Sequence, residues 1–164
     1  MQSAIMPVRK SLADLNCSLA KALDVVGDAW CMLILRDLFI GVQRFQDIAN
    51  STGVARNTLT ERLNRLVGAG LVVRTGTEHR PLYALSDMGY DLMPALVAMM
   101  QWGDRWYADG KPPMVIEDHK GREVPVVKLT TAKGKDLDLR KLAVKPGPGA
   151  EAMTKAWLDT VIRR

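Results

Sequence analysis

Five arginines lie close together near the middle of the chain, between residues 56 and 80. The same segment contains two acidic residues, so its net charge is +3. Fixed positive charge displaces counterions from a polyanion, and such a segment is typical of a surface that faces phosphate groups. A helix face that meets only water is the alternative, which charge alone leaves open. The five are Arg56, Arg62, Arg65, Arg74 and Arg80.

No comparable set of residues points to catalysis or to metal binding. The sequence has no glycine-rich phosphate loop, no activated nucleophile and no pair of carboxylates at a suggestive spacing. Asp136 and Asp138 fit a strand edge better than a catalytic site. The two histidines and two cysteines are too scattered for a zinc site. We therefore predict that the protein is not an enzyme and binds no metal or cofactor.

Composition limits the class of protein further. The chain has 164 residues, a net charge of +5 and 48% apolar residues, which suffices for the core of one domain with a small appendage. No apolar run reaches the roughly 20 residues that cross a bilayer. The N-terminal segment lacks the apolar stretch of a signal peptide, and two cysteines cannot form a disulfide framework. These features predict a soluble, cytoplasmic protein without membrane contacts.

Apolar spacing predicts four helices in the first half of the chain, over residues 19–26, 29–39, 45–51 and 55–69. The second is apolar on nearly all sides, which indicates a central, buried helix. The fourth has leucines on one side and polar residues on the other, which suits a helix that docks on its neighbours and presents a polar face. Leu19, Ala22, Leu23 and Val26 are expected to lie on one face of the first helix.

The second half begins with a change to the pattern of strands. Residues 71–75 and 82–85 are predicted to pair around a turn at 76–80. A long helix follows over residues 87–107, and Pro94 is expected to kink it or break its first turn. Its apolar stripe includes Leu92, Leu96, Met99, Met100, Trp102 and Trp106.

The last third is predicted to hold short strands and one helix. The strand-like segments are 114–117, 124–129 and 137–144, and the helix covers residues 150–164. This helix is expected to face inward with Met153, Trp157 and Val161, together with Leu158.

Helix, turn, helix and a two-stranded hairpin with a basic tip form a winged helix, an α+β fold. The major groove of DNA accepts a helix such as the fourth one, and the hairpin, or wing, would reach the adjacent backbone or minor groove. The expected DNA contacts on the helix are Arg56, Asn57, Thr58, Thr60, Arg62 and Arg65. Those on the wing are Arg74, His79 and Arg80.

A series of short motifs between Cys17 and Trp106 adds a further indication. In chain order they read CSLAKALDVVGDAW, LILRDL, RF, TLTERL, GLV and YALSDMG. In their order and spacing, the chain resembles the HxlR family of bacterial winged-helix regulators, a MarR-like group. The resemblance implies a homodimeric transcriptional regulator that binds double-stranded DNA, with dimer contacts from the N-terminal segment and the long helix after the wing. Arg44, in the third motif, joins the expected DNA contacts.

One position departs from the family pattern. Ala55 stands where members usually have a Ser or Thr N-cap for the recognition helix, a loss of roughly 1 kcal/mol of capping. A slightly frayed helix start is the expected result.

The roles of Cys17 and of the large side chains on the long helix each have two possible interpretations, and a second cysteine, Cys31, has one. Cys17 stands where the family often has a cysteine that senses oxidants or electrophiles. A thiolate near a helix N-terminus is stabilised and reactive, whereas the alternative is a small residue that packs a dimer contact. Cys31 is expected to be inert core. The Trp and Met residues of the long helix favour a dimer core, and a pocket for a small apolar effector is the alternative.

The C-terminal segment resembles an appendage of longer family members that carries Cys-Gly pairs and ends in Pro-Gly-Pro-Gly. Lys120-Gly121 and Lys133-Gly134 stand at the positions of the pairs, Thr130 stands at another cysteine position, and Pro146–Gly149 keeps the ending. The resemblance implies a small β-rich fold, like a zinc ribbon that has lost its cysteines and its zinc. We therefore predict a winged-helix and dimerisation domain over residues 1–110 and an appendage over residues 111–164.

These observations predict a transcriptional regulator that binds a palindromic operator as a homodimer and responds to a small molecule or a thiol-reactive signal. The alternative is a non-catalytic winged-helix module that binds another protein. A strong salt dependence of binding to duplex DNA separates the two.

Overall fold

The computed structural model of the protein describes residues 11–162, which separate into two compact units. The described residues of Met1–Asp28 and Asp138–Arg164 form one unit, and Ala29–Leu137 forms the other. This division differs from the predicted boundary after residue 110, which stays a prediction. In chain order the helices and strands are α1 (Ser18–Val26), α2 (Ala29–Phe39), α3 (Phe45–Thr52), α4 (Arg56–Gly68), β1 (Val72–Thr77), β2 (Arg80–Leu85), α5 (Asp87–Asp91), α6 (Met93–Tyr107) and α7 (Ala152–Ile162).

Helix α2 is the centre of the larger unit, as its apolar composition predicts. It packs against α3, α4, α6 and β2 and buries Cys31, Ile34, Leu35 and Leu38. It also buries the carboxyl group of Asp37, whose Oδ1 accepts hydrogen bonds from Nε and Nη2 of Arg36 at 2.9 and 2.6 Å. Buried charges persist in proteins when they are paired in this way.

Helices α3 and α4 form the helix-turn-helix. Gly53 ends α3 in the left-handed region at φ 69°, a conformation that glycine adopts without a Cβ penalty. The turn buries Val54, and α4 buries the stripe of Leu59, Leu63 and Leu66. This stripe confirms the predicted inner face of the fourth helix.

Strands β1 and β2 form the wing, and they are longer than predicted. Their antiparallel register runs from Val72 opposite Leu85 to Thr77 opposite Arg80, so the loop consists of two residues, Glu78 and His79. The predicted five-residue turn at 76–80 is therefore wrong. Gly76 has φ +81°, and a Cβ there would lie 2.5 Å from the Arg80 carbonyl oxygen. The missing side chain lets the strands stay paired almost to the tip.

The predicted long helix is broken at its start, as Pro94 indicates. Helix α5 ends at Asp91, and Pro94 lies in the first turn of α6, where its missing N–H costs no helical hydrogen bond. Ser86 caps α5 by accepting a hydrogen bond from the Gly89 N–H at 3.1 Å. Of the predicted apolar stripe, Leu96 is buried but Met99, Trp102 and Trp106 are exposed, so the C-terminal half of α6 lies outside the core.

The predicted strands after residue 110 are reduced to isolated bridges. Glu117 pairs with Glu123, and Thr130 with Asp136, each closing a turn that contains a left-handed glycine. The segment 137–144 holds a 3-10 turn, Leu139–Lys141, in place of a strand. Most side chains of these segments are exposed, so they lack the packed apolar face that supports longer strand pairing.

Hydrogen bonds to the Asp118 side chain hold the first of these turns in place. Asp118 accepts hydrogen bonds from the backbone N–H groups of Lys120 and Arg122 at 2.8 and 3.1 Å, and from Arg122 Nε at 2.8 Å. The side-chain bond from Arg122, followed by the backbone bonds, lowers the pKa of Asp118 below its usual 3.8. The Gln101 side chain on α6 forms hydrogen bonds with the backbone of Pro125 and Val127 at 3.1 and 2.8 Å, so it fastens the segment after this turn to α6.

In the smaller unit, Asn16 holds the start of α7. Its Oδ1 accepts from the Glu151 N–H at 3.0 Å and from Thr154 Oγ1 at 2.8 Å, and its Nδ2 donates to the Gly149 carbonyl at 3.1 Å. The bond from Glu151 satisfies a backbone N–H group that the helix start leaves without an internal partner.

The inner face predicted for α7 is wrong in most positions. Met153 and Trp157 on α7 are 73% and 61% exposed, Val161 is also exposed, and Leu158 alone of the four is buried. On α1, the predicted apolar face is buried at Val26 and exposed at Leu19, Ala22 and Leu23, while Ala20 is also buried. Both helices carry more apolar surface than the single chain buries. Their periodicity therefore identified apolar faces but not what covers them.

Candidate nucleic-acid interface

The outer face of α4 carries polar side chains on a rigid base. Opposite the buried leucines lie Asn57, Glu61 and Asn64, all exposed. Arg56, Thr60 and Arg65 are exposed beside this face, whereas Thr58 is half-buried. Because α4 rests on α2 through its leucine stripe, the outer face is presented at a fixed orientation.

The start of α4 lacks a side-chain cap, as its sequence indicates. Ala55 occupies the N-cap position and makes no side-chain hydrogen bond, and the helix begins at Arg56. Thr60 donates its hydroxyl hydrogen to the Arg56 carbonyl at 3.0 Å, which occupies that hydrogen inside the helix. Its oxygen still has acceptor capacity toward a ligand.

Arg56 is held against α3 rather than free in solvent. Its guanidinium carbon lies 5.0 Å from the centre of the Phe45 ring, a cation–π distance. Its Nη1 donates to Oε1 of Gln46 at 2.5 Å. Sequence reasoning missed Gln46, because a contact between the start of one helix and the start of the next leaves no periodic signal.

The two later arginines of α4 differ in exposure. Arg62 lies on the flank toward the core, where its side chain is 19% exposed and its Nη1 lies 2.8 Å from Oε1 of Glu61. Arg65 is exposed. The structure therefore sets Arg62 apart from the other predicted contacts, and Arg65 remains on the accessible side.

The wing is tied to the start of α3, which brings its basic residues toward α4. The Tyr83 N–H donates to the Gln43 carbonyl at 2.9 Å, and Arg44 forms a bridge with Leu82. A cavity of about 520 Å³ lies between the wing and the starts of α3 and α4. It is lined by Arg44, Phe45, Gln46, Arg56, His79, Arg80, Pro81 and Leu82. Four of the ten predicted DNA contacts thus share one groove, while Arg74 lies exposed on β1 outside this lining.

The described residues contain no group of three or more His, Cys, Asp or Glu side chains that could hold a metal ion. Cys17 is exposed at the N-cap of α1, and Cys31 is fully buried in α2. Within residues 11–162, none of the helices has the length and apolar character needed to cross a membrane.

This architecture matches one family of known proteins. The family model described as HxlR-like helix-turn-helix covers residues 25–111, from the end of α1 to just beyond α6. The chain belongs to the HxlR-like helix-turn-helix family. Residues 112–164 lie beyond the part that the family model describes.

Relatives of this HxlR-like protein extend over much of the rest of the chain. A Mycobacterium tuberculosis protein named as an uncharacterized HTH-type transcriptional regulator is 37% identical over 140 residues, 82% of this chain and 89% of its own. The crystal structure of PA1607, described as a candidate transcription factor, has 34% identity and a TM-score of 0.75, and covers 82% of this chain and 98% of its own. The redox regulator HypR in its oxidized form has 26% identity and a TM-score of 0.51 over 54% of this chain and 96% of its own.

These findings confirm the predicted fold and class. This HxlR-like protein is a winged-helix transcriptional regulator of the helix-turn-helix type.

Proposed function

We propose that this regulator binds operator DNA as a homodimer, with one α4 in each of two major-groove half-sites and each wing on the adjacent backbone. The observation that carries the proposal is the groove between the wing and the starts of α3 and α4, where Arg44, Arg56, His79 and Arg80 converge. Neighbouring arginines on a concave surface suit the phosphates of a duplex. Such a dimer would place its half-sites about 34–36 Å apart.

Within this proposal, base reading belongs to the outer face of α4. Asn57 and Asn64 lie on that face and carry the amide groups that pair with adenine in the major groove. Thr58 and Thr60, whose side chains are short, are proposed to contact the DNA near the start of the helix. Arg65 and Arg74 are proposed for phosphates, and Arg62, being mostly covered, for a smaller contribution.

The proposed dimer is supported by apolar surface that one chain leaves uncovered. The C-terminal half of α6 exposes Met99, Trp102 and Trp106, and α1 separately exposes Leu19 and Leu23. Large exposed aromatic residues are enriched at protein interfaces, where their burial contributes strongly to binding. A second copy of the chain is the occupant we propose for these faces.

Regulation is proposed to act through Cys17. The thiol is exposed and stands at the N-cap of α1 without a side-chain hydrogen bond to the helix. The similarity to HypR, a redox regulator, supports a thiol-responsive mechanism. Binding of a small-molecule effector is the second proposed way of controlling DNA binding. The proposed role is regulatory and non-catalytic, and binding to chromosomal DNA would require a cytoplasmic location.

Selection from a random duplex library, followed by fluorescence anisotropy, tests the proposal. We expect enrichment of a palindrome, tight binding by the reduced protein and a steep loss of affinity with salt. Loss of binding on mild oxidation, absent in Cys17→Ser, would support the thiol signal. Equal binding by both redox forms would favour a small-molecule effector. No sequence enrichment would favour the protein-interaction module.

A further inference from the structure

A chain of side-chain contacts leads from α3 to the first residue of α4. The Arg56 guanidinium carbon lies 5.0 Å from the centre of the Phe45 ring, and Nη1 donates to the side-chain amide oxygen of Gln46 at 2.5 Å. An exposed arginine samples many rotamers in water, and fixing one of them on binding costs conformational entropy. The ring contact and the hydrogen bond together reduce that freedom before any ligand arrives.

The Gln46 amide is itself oriented. Its Nε2 donates to Oδ1 of Asn50, one helical turn further along α3, at 2.8 Å. Turning the amide over would put the NH₂ group toward Arg56 and the carbonyl toward Asn50 Oδ1, so both hydrogen bonds would be lost. Asn50 therefore keeps the carbonyl oxygen of Gln46 directed at Arg56.

The held guanidinium retains donors for a ligand in the groove. Arginine has five N–H donors, and Gln46 engages one nitrogen of the group. The groove beside it is also lined by Arg44, His79 and Arg80, and its lining residues include no carboxylate. An anion is the matching ligand, and on duplex DNA that anion is a backbone phosphate.

We propose that Gln46 is a positioning residue that holds Arg56 ready to bind one DNA phosphate in the groove between the wing and the starts of α3 and α4. The inference rests on the proposed DNA binding and assigns to Arg56 the fixing of register, while base reading stays with the outer face of α4. Phosphate contacts set the orientation of a protein on DNA without reading its sequence.

A double-mutant cycle on the selected operator tests this role. Arg56→Ala should lower affinity and reduce the slope of log K against log salt by about 1. Gln46→Ala should weaken binding by about fivefold with little change in slope, since the cation remains but is no longer held. In the Arg56→Ala background, Gln46→Ala should have no further effect.

A second double variant, which pairs Gln46 with a distant arginine, is the control for this cycle. Gln46→Ala combined with Arg74→Ala should give additive losses, because Arg74 lies on β1 outside the groove lining. All variants should keep the wild-type thermal unfolding temperature, since Gln46, Arg56 and Arg74 are exposed. The ratio of operator to non-operator affinity should stay the same in Gln46→Ala.

Three results would overturn the inference. Additive losses for Gln46 and Arg56 would show that the two act independently. A changed operator preference in Gln46→Ala would make Gln46 a base-reading residue. A wild-type protein that selects no DNA sequence would remove the proposed function itself, and this result is distinct because it appears before any variant is compared.

Discussion

At the residue scale, Gly76 sets the geometry of the wing. Its φ is +81°, and a Cβ attached to it would approach the Arg80 carbonyl oxygen to 2.5 Å, which is too close for a side chain to fit. Gly76→Ala should therefore destabilise the wing by about 1–3 kcal/mol and weaken DNA binding. Thermal unfolding and fluorescence anisotropy measure the two effects.

Gly68 offers a matched control for unfolding. It ends α4 with no atom within 4 Å of a Cβ and without a positive φ. Gly68→Ala should leave the unfolding temperature unchanged or slightly raised, because alanine favours the helix. Equal losses from both substitutions would contradict the steric explanation.

The ion pair of Arg36 and Asp37 is the second prediction at this scale. The Asp37 side chain is fully buried, and its Oδ1 lies 2.6 Å from Nη2 of Arg36, whose side chain is 23% exposed. Arg36→Ala would leave a carboxylate buried without that cation and should destabilise the fold by about 3 kcal/mol in urea unfolding. Replacing both residues, as Arg36→Met with Asp37→Leu, should recover part of this loss. If the double variant is less stable than Arg36→Ala, packing rather than charge pairing determines the stability at this site.

At the scale of elements, the turn after residue 117 depends on pH through Asp118. The Arg122 side chain, followed by two backbone N–H groups, lowers the pKa of Asp118 in the folded turn. A lowered pKa means that the carboxylate stabilises the turn above its usual pKa of 3.8, and that this contribution disappears as pH falls through the folded value. Arg122→Ala should raise the pKa of Asp118 toward 3.8, as measured by NMR titration of the carboxyl carbon. An unchanged titration curve would assign the shift to the backbone bonds alone.

At the scale of the whole molecule, assembly is expected to depend on the exposed aromatic residues of α6. Trp106 is 65% exposed in the single chain. If a second copy covers it, Trp106→Ala should weaken dimerisation by at least about fivefold, since truncated aromatic anchors commonly cost more than about 1 kcal/mol. Sedimentation velocity over a concentration series measures this change.

Ile40 is the control for that substitution. It is also a large exposed apolar residue, 51% exposed just after α2, but it lies outside the proposed dimer faces. Ile40→Ala should leave the dimer unchanged. A monomeric wild-type protein at micromolar concentration, or equal effects of the two variants, would argue against α6 as the dimer contact.

The sequence by itself determined the winged helix and the position of its recognition helix. Leucines 59, 63 and 66 repeat at helical spacing, Pro94 breaks a helix at its first turn, and the basic hairpin follows in order. These signals are local, because helical periodicity, missing N–H groups and fixed charges depend on neighbouring residues in the chain. The family motifs carried the same information over the same segment.

Only the tertiary structure decided which apolar and charged side chains meet a partner. Trp157 and Trp106 have the periodicity of core residues, yet one chain leaves them exposed, and Arg62 has the appearance of a DNA contact but is largely covered. The contact of Gln46 with Arg56 also arises between two helices whose approach depends on the turn at Gly53. Burial and long-range hydrogen bonds depend on how elements pack, and this information is spread over the whole chain rather than held in any one motif.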